Sequence, residues 1–372
     1  MIIVKEITTK KEMKTFVKFP FELYKNNPYW VPPLINDELN SFDKTINPVF
    51  EHAIAHFFLA YKNDKIVGRV AAIINWTEVN DQQIKKMRFG WFDFIDDIEV
   101  SKTLLNKVEE IGKIYQLEFV EGPVGFSNLD KVGVLTEGFD QIGTMITWYN
   151  HPYYKEHLEQ LGFVKAKEWI ESYFYLNDVN PENFQRLSEV IKKRYELHIL
   201  NFKSTKELLP YVPKMFELFN TTYAKLASFV PISDIEIDYF KKKYISLIDP
   251  EFIKYVADKN GNLVAFAVTM HSFAEALQKA KGKLFPCGIF HILKAKKNSK
   301  EALLYLIGIH PDYQNKGVVA ILFDEYYKTN TKKGMLKFYR TPELEENNAI
   351  QALWRNFNPT IHKRRRTYRK DI

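Results

Sequence analysis

Residues 313–322 read YQNKGVVAIL and carry the densest hint of chemistry in the chain. They follow a continuous apolar run, ALLYLIGI at 302–309, and open an amphipathic segment. A strand, a tight loop and a helix start aim unpaired backbone N–H groups and the positive end of a helix dipole at one point, which suits an anion. Within Gln314-Asn315-Lys316-Gly317-Val318-Val319, Gly317 permits close backbone approach and Lys316 adds a positive charge. Beyond the loop, Val318, Val319, Leu322, Phe323 and Tyr326 share one broad helical face. These residues alone fit either a phosphate cradle or an ordinary strand-to-helix turn.

Other chemistry is sparse. The chain has no G-x-x-x-x-G-K-[ST] run and no G-x-G-x-x-G after a strand, which argues against a nucleotide triphosphatase or a dinucleotide oxidoreductase. It has no G-x-S-x-G, and the single Cys287 shows no activating partner in sequence. His52 and His56 lie four apart without further ligands, so no metal site is expected.

The elements around the loop repeat. Residues 56–75 predict a strand, an Asn63-Asp64 turn and a second strand. A strand over 89–100, a helix over 102–116, a strand over 117–125, a helix over 153–163 and a strand over 169–176 follow. The polar stretch 177–184 sets the expected boundary, giving domains 1–178 and 179–372. Helices over 181–195, 206–222 and 235–248 come next. The earlier order then returns: a hairpin over 252–270, a strand over 302–309, a helix from 318, a strand over 335–341 and a short helix over 346–357. Residues 271–298 read as a basic, turn-rich insertion on the substrate side.

A chain of 372 residues, 46% apolar, is long enough to bury two cores. No apolar run approaches the roughly 20 residues of a membrane span, so no membrane partner is expected. One cysteine and no signal-peptide layout fit a cytoplasmic setting. The net charge of +7 favours anionic ligands. Part of that charge sits in HKRRRTYRK at 362–370, which reads as a charged final strand in preference to a nucleic-acid tail.

LIGIHPDYQNKGVVAILFDE resembles the cofactor motif of the GNAT superfamily, the acyl-CoA-dependent N-acyltransferases. Ile309, Pro311, Tyr313, Gln314 and Gly317 match its pattern, whereas Val319 stands where a second small residue is usual. The resemblance implies an α/β (α+β) fold of two tandem GNAT-like domains, each a mixed central sheet flanked by helices. It implies that Gln314, Asn315, Lys316, Gly317, Val318, Val319 and Ala320 hold the pyrophosphate of acetyl-CoA or another acyl-CoA. Leu306, Ile307, Gly308 and Ile309 would pair with the pantetheine arm. NNAIQALWRNF resembles a second family segment, with Asn347 at a CoA contact and Trp354 where many members carry an acidic Tyr. Indole is too weak an acid for that role. His310, Glu343 and Tyr339 are then the candidates for proton transfer, Tyr339 with an ordinary phenol pKa near 10.

The first half resembles the fold without the glycine loop. Asp93, Asp96, Asp97 and Glu99 stand near the corresponding position and oppose a diphosphate. The glycine-rich segment 121–140 is expected to border the site from the first domain. Three functional readings stay open. They are an N-acyltransferase acting on an unknown amine, a non-catalytic ligand- or partner-binding protein of the same fold, and an aminoacyl-tRNA-dependent transferase. The oligomeric state is not legible.

Overall fold

A computed structural model describes the chain at every position but Asn128, Ala227, Ser228 and Ser246; at Ala349 and Arg355 it describes the backbone alone. The elements run β1 (Ile2–Glu6), α1 (Lys10–Leu23), α2 (Ile35–Phe42), β2 (Ala53–Lys62), β3 (Lys65–Asn75), β4 (Lys86–Phe94), α3 (Ile98–Ile114), β5 (Phe119–Gly122), β6 (Val134–Glu137), α4 (Tyr153–Gln160) and β7 (Val164–Tyr175). They continue with α5 (Glu182–Arg194), β8 (His198–Asn201), α6 (Thr205–Leu208), α7 (Val212–Tyr223), α8 (Asp234–Tyr244), β9 (Ile253–Ala257), β10 (Leu263–His271), α9 (Ala274–Ala280) and α10 (Gly288–Asn298). The last are β11 (Glu301–Ile309), α11 (Val319–Lys332), β12 (Lys337–Leu344), α12 (Asn348–Leu353) and β13 (Thr360–Asp371).

Contacts divide these into two units. The first is Met1–Ile170 with Ala274–Ile292 and His362–Ile372; the second is Glu171–Phe273 with Leu293–Ile361. The sequence suggests a single cut between residues 178 and 179; the contact division instead joins residues 274–292 and 362–372 to the first unit. The free edge of β5 takes β13 as its antiparallel partner, from Tyr368↔Gly122 to Asp371↔Phe119. The insertion is ordered as two helices, and its first part is tied to the first unit. Ile35 N–H donates to the Gly282 carbonyl at 2.9 Å, and Gln278 Nε2 donates to the Pro28 and Trp30 carbonyls at 2.7 and 3.0 Å.

The first unit orders its strands β1-β2-β3-β4-β5-β13-β7, with β6 also on β13. Strands β1 to β4 pair antiparallel, and α3 carries the chain across to a parallel β5. Alternation along β3 explains its two cores. Val70, Ala72 and Ile74 pack with Leu104 and Val108 of α3, while Ala71 and Ile73 pack with Phe16 and Phe42 of α1 and α2. The strand expected over 89–100 stops at Phe94, because Asp97 caps a helix that starts at Ile98.

The second unit repeats the plan as β8-β9-β10-β11-β12. Strands β8 to β11 pair antiparallel, and α11 leads across to a parallel β12. Val318, Ile321 and Leu322 of the α11 segment pack with Ile191 of α5 against Ala265 and Ala267 of β10. Each unit is therefore a mixed sheet flanked by helices, in keeping with the α/β class.

Candidate functional site

Strand β11 carries the first group of expected site residues. It pairs with β10 from Ala265↔Ile309 to His271↔Ala302, but Tyr305 is an extra residue without a counterpart on β10. An extra residue of this kind bends its strand. On the other edge, parallel pairing with β12 runs only from Glu301↔Lys337 to Leu304↔Arg340. Past that point no further ladder joins the two strands among the described residues. The last link is the Thr341 hydroxyl, which donates to the Tyr305 carbonyl at 3.4 Å. The bulge and the parting coincide, so residues 305–309 turn one backbone edge away from β12. Leu306, Ile307 and Ile309 are half-buried there and Gly308 is buried. A Cβ on Gly308 would stand 2.4 Å from the Phe266 ring, so glycine alone allows that ring to cross the strand. The Tyr223 hydroxyl of α7 donates to the Ile307 carbonyl at 3.0 Å, a contact no sequence pattern signalled.

The loop follows directly. Gln314 Nε2 donates to the Ile309 carbonyl at 3.2 Å and ties the loop to the strand end. Asn315 and Gly317 both take positive φ, 59° and 77°, the region where glycine is favoured. A Cβ on Gly317 would also meet Ile191 of α5 at 3.3 Å. The amides of Asn315, Gly317, Val318 and Val319 meet no acceptor among the described residues. Helix α11 starts with no side-chain cap and no acidic residue in its first turn. Lys316 is exposed, its ammonium 5.3 Å from the Tyr313 ring centre and 5.5 Å from that of Tyr195. Val319 is half-buried and packs with the cluster of Phe174, Phe323 and Trp354. Its side chain therefore packs into the core. Ala320 is buried behind it.

The proton-transfer candidates are all engaged. His310 Nδ1 accepts from the Asp312 amide at 3.2 Å and so caps the short turn Pro311–Tyr313. Tyr339 lies on the paired part of β12, opposite Leu303, away from the parted ends. Burial first, then the Glu301 carboxylate, pushes its phenol well above the ordinary value. The expectation of an unperturbed acid is corrected accordingly. Glu343 sits on the parted end of β12 and receives the Arg340 guanidinium, Trp354 Nε1 at 3.0 Å and Gln351 Nε2 at 3.3 Å. Burial raises its pKa, with the Arg340 charge opposing. Breaking such a buried pair costs about 3–5 kcal/mol, so Glu343 carries structural weight. Trp354 is buried among Phe174, Phe323 and Phe357 and cannot reach out as an acid. Asn347 caps α12, its Oδ1 accepting from the Ile350 amide at 3.3 Å.

In the first unit the corresponding carboxylates are spent internally. Asp93 pairs with Arg69 at 2.7 Å and accepts from Tyr24 at 2.8 Å. Asp96 meets His157 Nε2 at 3.1 Å. Asp97 caps α3 through the Glu99 amide at 3.1 Å and takes Lys62 at 2.8 Å. The basic tail is strand β13, and Lys363 and Arg365 on it are buried. Arg365 donates to the Trp148 carbonyl and Lys363 to the Ile142 carbonyl, both at 2.6 Å, while Arg366 pairs with Glu168 at 3.0 Å. Among the described residues no group of three metal-binding side chains gathers, and no helix is long and apolar enough to cross a membrane.

No family model matches the chain. Two curated proteins align along nearly all of it. Protein YghO of Escherichia coli (strain K12) is 26% identical over 100% of this chain and 95% of its own length. The bacterial ceramide synthase of Caulobacter vibrioides (strain NA1000 / CB15N) is 25% identical over 98% and 96%. Among solved structures, a tandem GNAT protein from the clavulanic acid biosynthesis pathway superposes with a TM-score of 0.57 at 9% identity, covering 100% of this chain and 98% of that one. The chain has the tandem GNAT-like fold.

Proposed function

We propose that the chain is an acyl-CoA-dependent N-acyltransferase whose second unit holds the acyl donor. One observation carries the reading. Strands β11 and β12 stop pairing after Leu304 and Arg340, and the strand so released runs into a loop with four open amides and a lysine. The donor set fits the group. A pyrophosphate needs N–H donors and positive charge at a helix start, and an amide-rich arm needs a free strand edge. Gln314 to Ala320 would take the first part, Leu306 to Ile309 the second and the side-chain amide of Asn347 a further contact.

The chemistry asks little of side chains. The amine nitrogen attacks the thioester carbonyl carbon, the C–S bond breaks, and the nitrogen loses a proton as the thiolate gains one. Orientation and carbonyl polarisation supply much of the rate in such a transfer. The relative named a ceramide synthase narrows the acceptor. A ceramide is the amide of a long-chain amino alcohol, so we assign that class of amine here. Calorimetry with CoA and acyl-CoA, followed by thiol release in the presence of a long-chain amino alcohol, tests both parts. Binding and amine-dependent release are expected; no heat at millimolar CoA would refute the reading.

A second reading is binding without turnover. The engagement of His310, Tyr339 and Glu343, and the Tyr223 hydroxyl on the Ile307 carbonyl, favour it. CoA binding without thiol release for any amine would select it.

A further inference from the structure

We propose, against the expectation of no membrane partner, that the segment from Lys281 to Lys300 is a docking surface for an anionic lipid bilayer. Three large apolar side chains stand out of the protein within nine residues, Phe285, Phe290 and Leu293, 72%, 69% and 55% exposed. Phe290, Leu293, Lys294 and Lys297 are spaced i, i+3, i+4 and i+7 on α10 and form one outward stripe. The opposite face buries Gly288 and Ile292. The helix is thus amphipathic toward the protein, and its solvent face mixes apolar groups with cations.

Charge selects the occupant. Between residues 276 and 300 the sequence carries seven lysines and no carboxylate. A bilayer interface offers anionic headgroups above an apolar layer, which matches lysines interleaved with Phe and Leu. A second copy of the chain would bring lysine against lysine in a symmetric contact, which disfavours self-association. The base of the segment is held firmly, since the Gly282 carbonyl accepts from the Ile35 amide and Gly282 packs on the Phe21 ring. The helix therefore lies on the surface without spanning, consistent with its 11 residues. This surface stands independently of the acyl-transfer reading. Where both hold, long-chain substrates are drawn from the bilayer on which the protein sits.

Cys287, exposed between Phe285 and Phe290 and the only cysteine, supplies the probe. A polarity-sensitive fluorophore on its thiol is titrated with phosphatidylcholine vesicles, with and without phosphatidylglycerol, and the unlabelled full chain is floated with the same vesicles. A blue shift and flotation with the anionic vesicles alone are expected, both reversed near 1 M salt, where charges are screened within about 3 Å. The double variants Phe290→Ala/Leu293→Ala and Lys294→Glu/Lys297→Glu should each weaken partition about tenfold or more, with unchanged circular dichroism. No partition into either vesicle overturns the proposal. So does partition that survives both double variants, or a dimer in sedimentation that the Phe290→Ala/Leu293→Ala change dissolves.

Discussion

The two units reach the same junction, a strand entering a helix that crosses to a parallel neighbour, and finish it in opposite ways. At β4–α3 the chain supplies its own anion. Asp97 caps the helix, and Lys62 neutralises the carboxylate from outside. At β11–α11 the helix starts uncapped after a loop with two left-handed residues, and its amides are left for another acceptor. The strand edges differ likewise. In the first unit the chain beyond β5 folds back, and the Val124 amide donates to the Phe89 carbonyl at 2.8 Å. Tyr154 then accepts from the Phe94 amide at 3.1 Å. In the second unit the strand beyond Leu304 stays paired with β10, and toward β12 its carbonyls meet only side chains among the described residues, Thr341, Tyr223 and Gln314. One framework therefore becomes a sealed structural body or an open cradle according to whether a carboxylate or a glycine stands at the helix start.

The largest effect expected from this contrast comes from giving the second junction what the first already has. Gly317→Glu places a carboxylate beside the open amides, a side chain at positive φ and a Cβ against Ile191. CoA affinity measured by calorimetry should fall at least about a hundredfold, the scale of an anion opposing an anion in a part-buried site. Retained affinity would separate the loop from the cofactor.

A smaller effect is expected from opening the first junction. Asp97→Ala removes a cap and should cost about 1 kcal/mol in urea denaturation without changing CoA affinity. The Lys62 hydrogen bond foremost, and the Glu99 amide after it, hold the Asp97 carboxyl below its ordinary value, with burial opposing. A lowered folded pKa stabilises above the ordinary carboxylate range, near pH 4, and that stability is lost as pH falls through the lowered value. The difference between native chain and variant should therefore shrink on acidification. A difference that stays constant with pH would remove Asp97 from the account of why α3 starts where it does.

Much of the fold is legible from local pattern. The hairpin turn at Asn63-Asp64 takes positive φ at both residues, 49° and 57°, as its composition signals. Strand β11 shows as a continuous apolar run and is buried at Ala302, Leu303 and Gly308 and half-buried elsewhere. The division into units is not legible, because it rests on β13 pairing with β5 across a long stretch of chain. The α3 start lies inside what reads as one strand, since Ile98 and Val100 are as apolar as the residues before Asp96. At the site, the order Pro311, Gln314, Gly317 marks the loop, but the fate of each side chain depends on partners far away. Val319 is drawn into an aromatic cluster, and Tyr223 arrives from a helix without any local motif. Arg340 has a visible signal that is easily passed over, a cation inside an apolar strand with a carboxylate three residues on.

Peptide-resolved hydrogen exchange with and without CoA compares the two junctions in one experiment. The account predicts slowed exchange at residues 315–319, whose open amides gain an acceptor, and unchanged exchange at residues 97–101, where Asp97 already provides one. No change at residues 315–319 in saturating CoA, or equal slowing at both junctions, would contradict it.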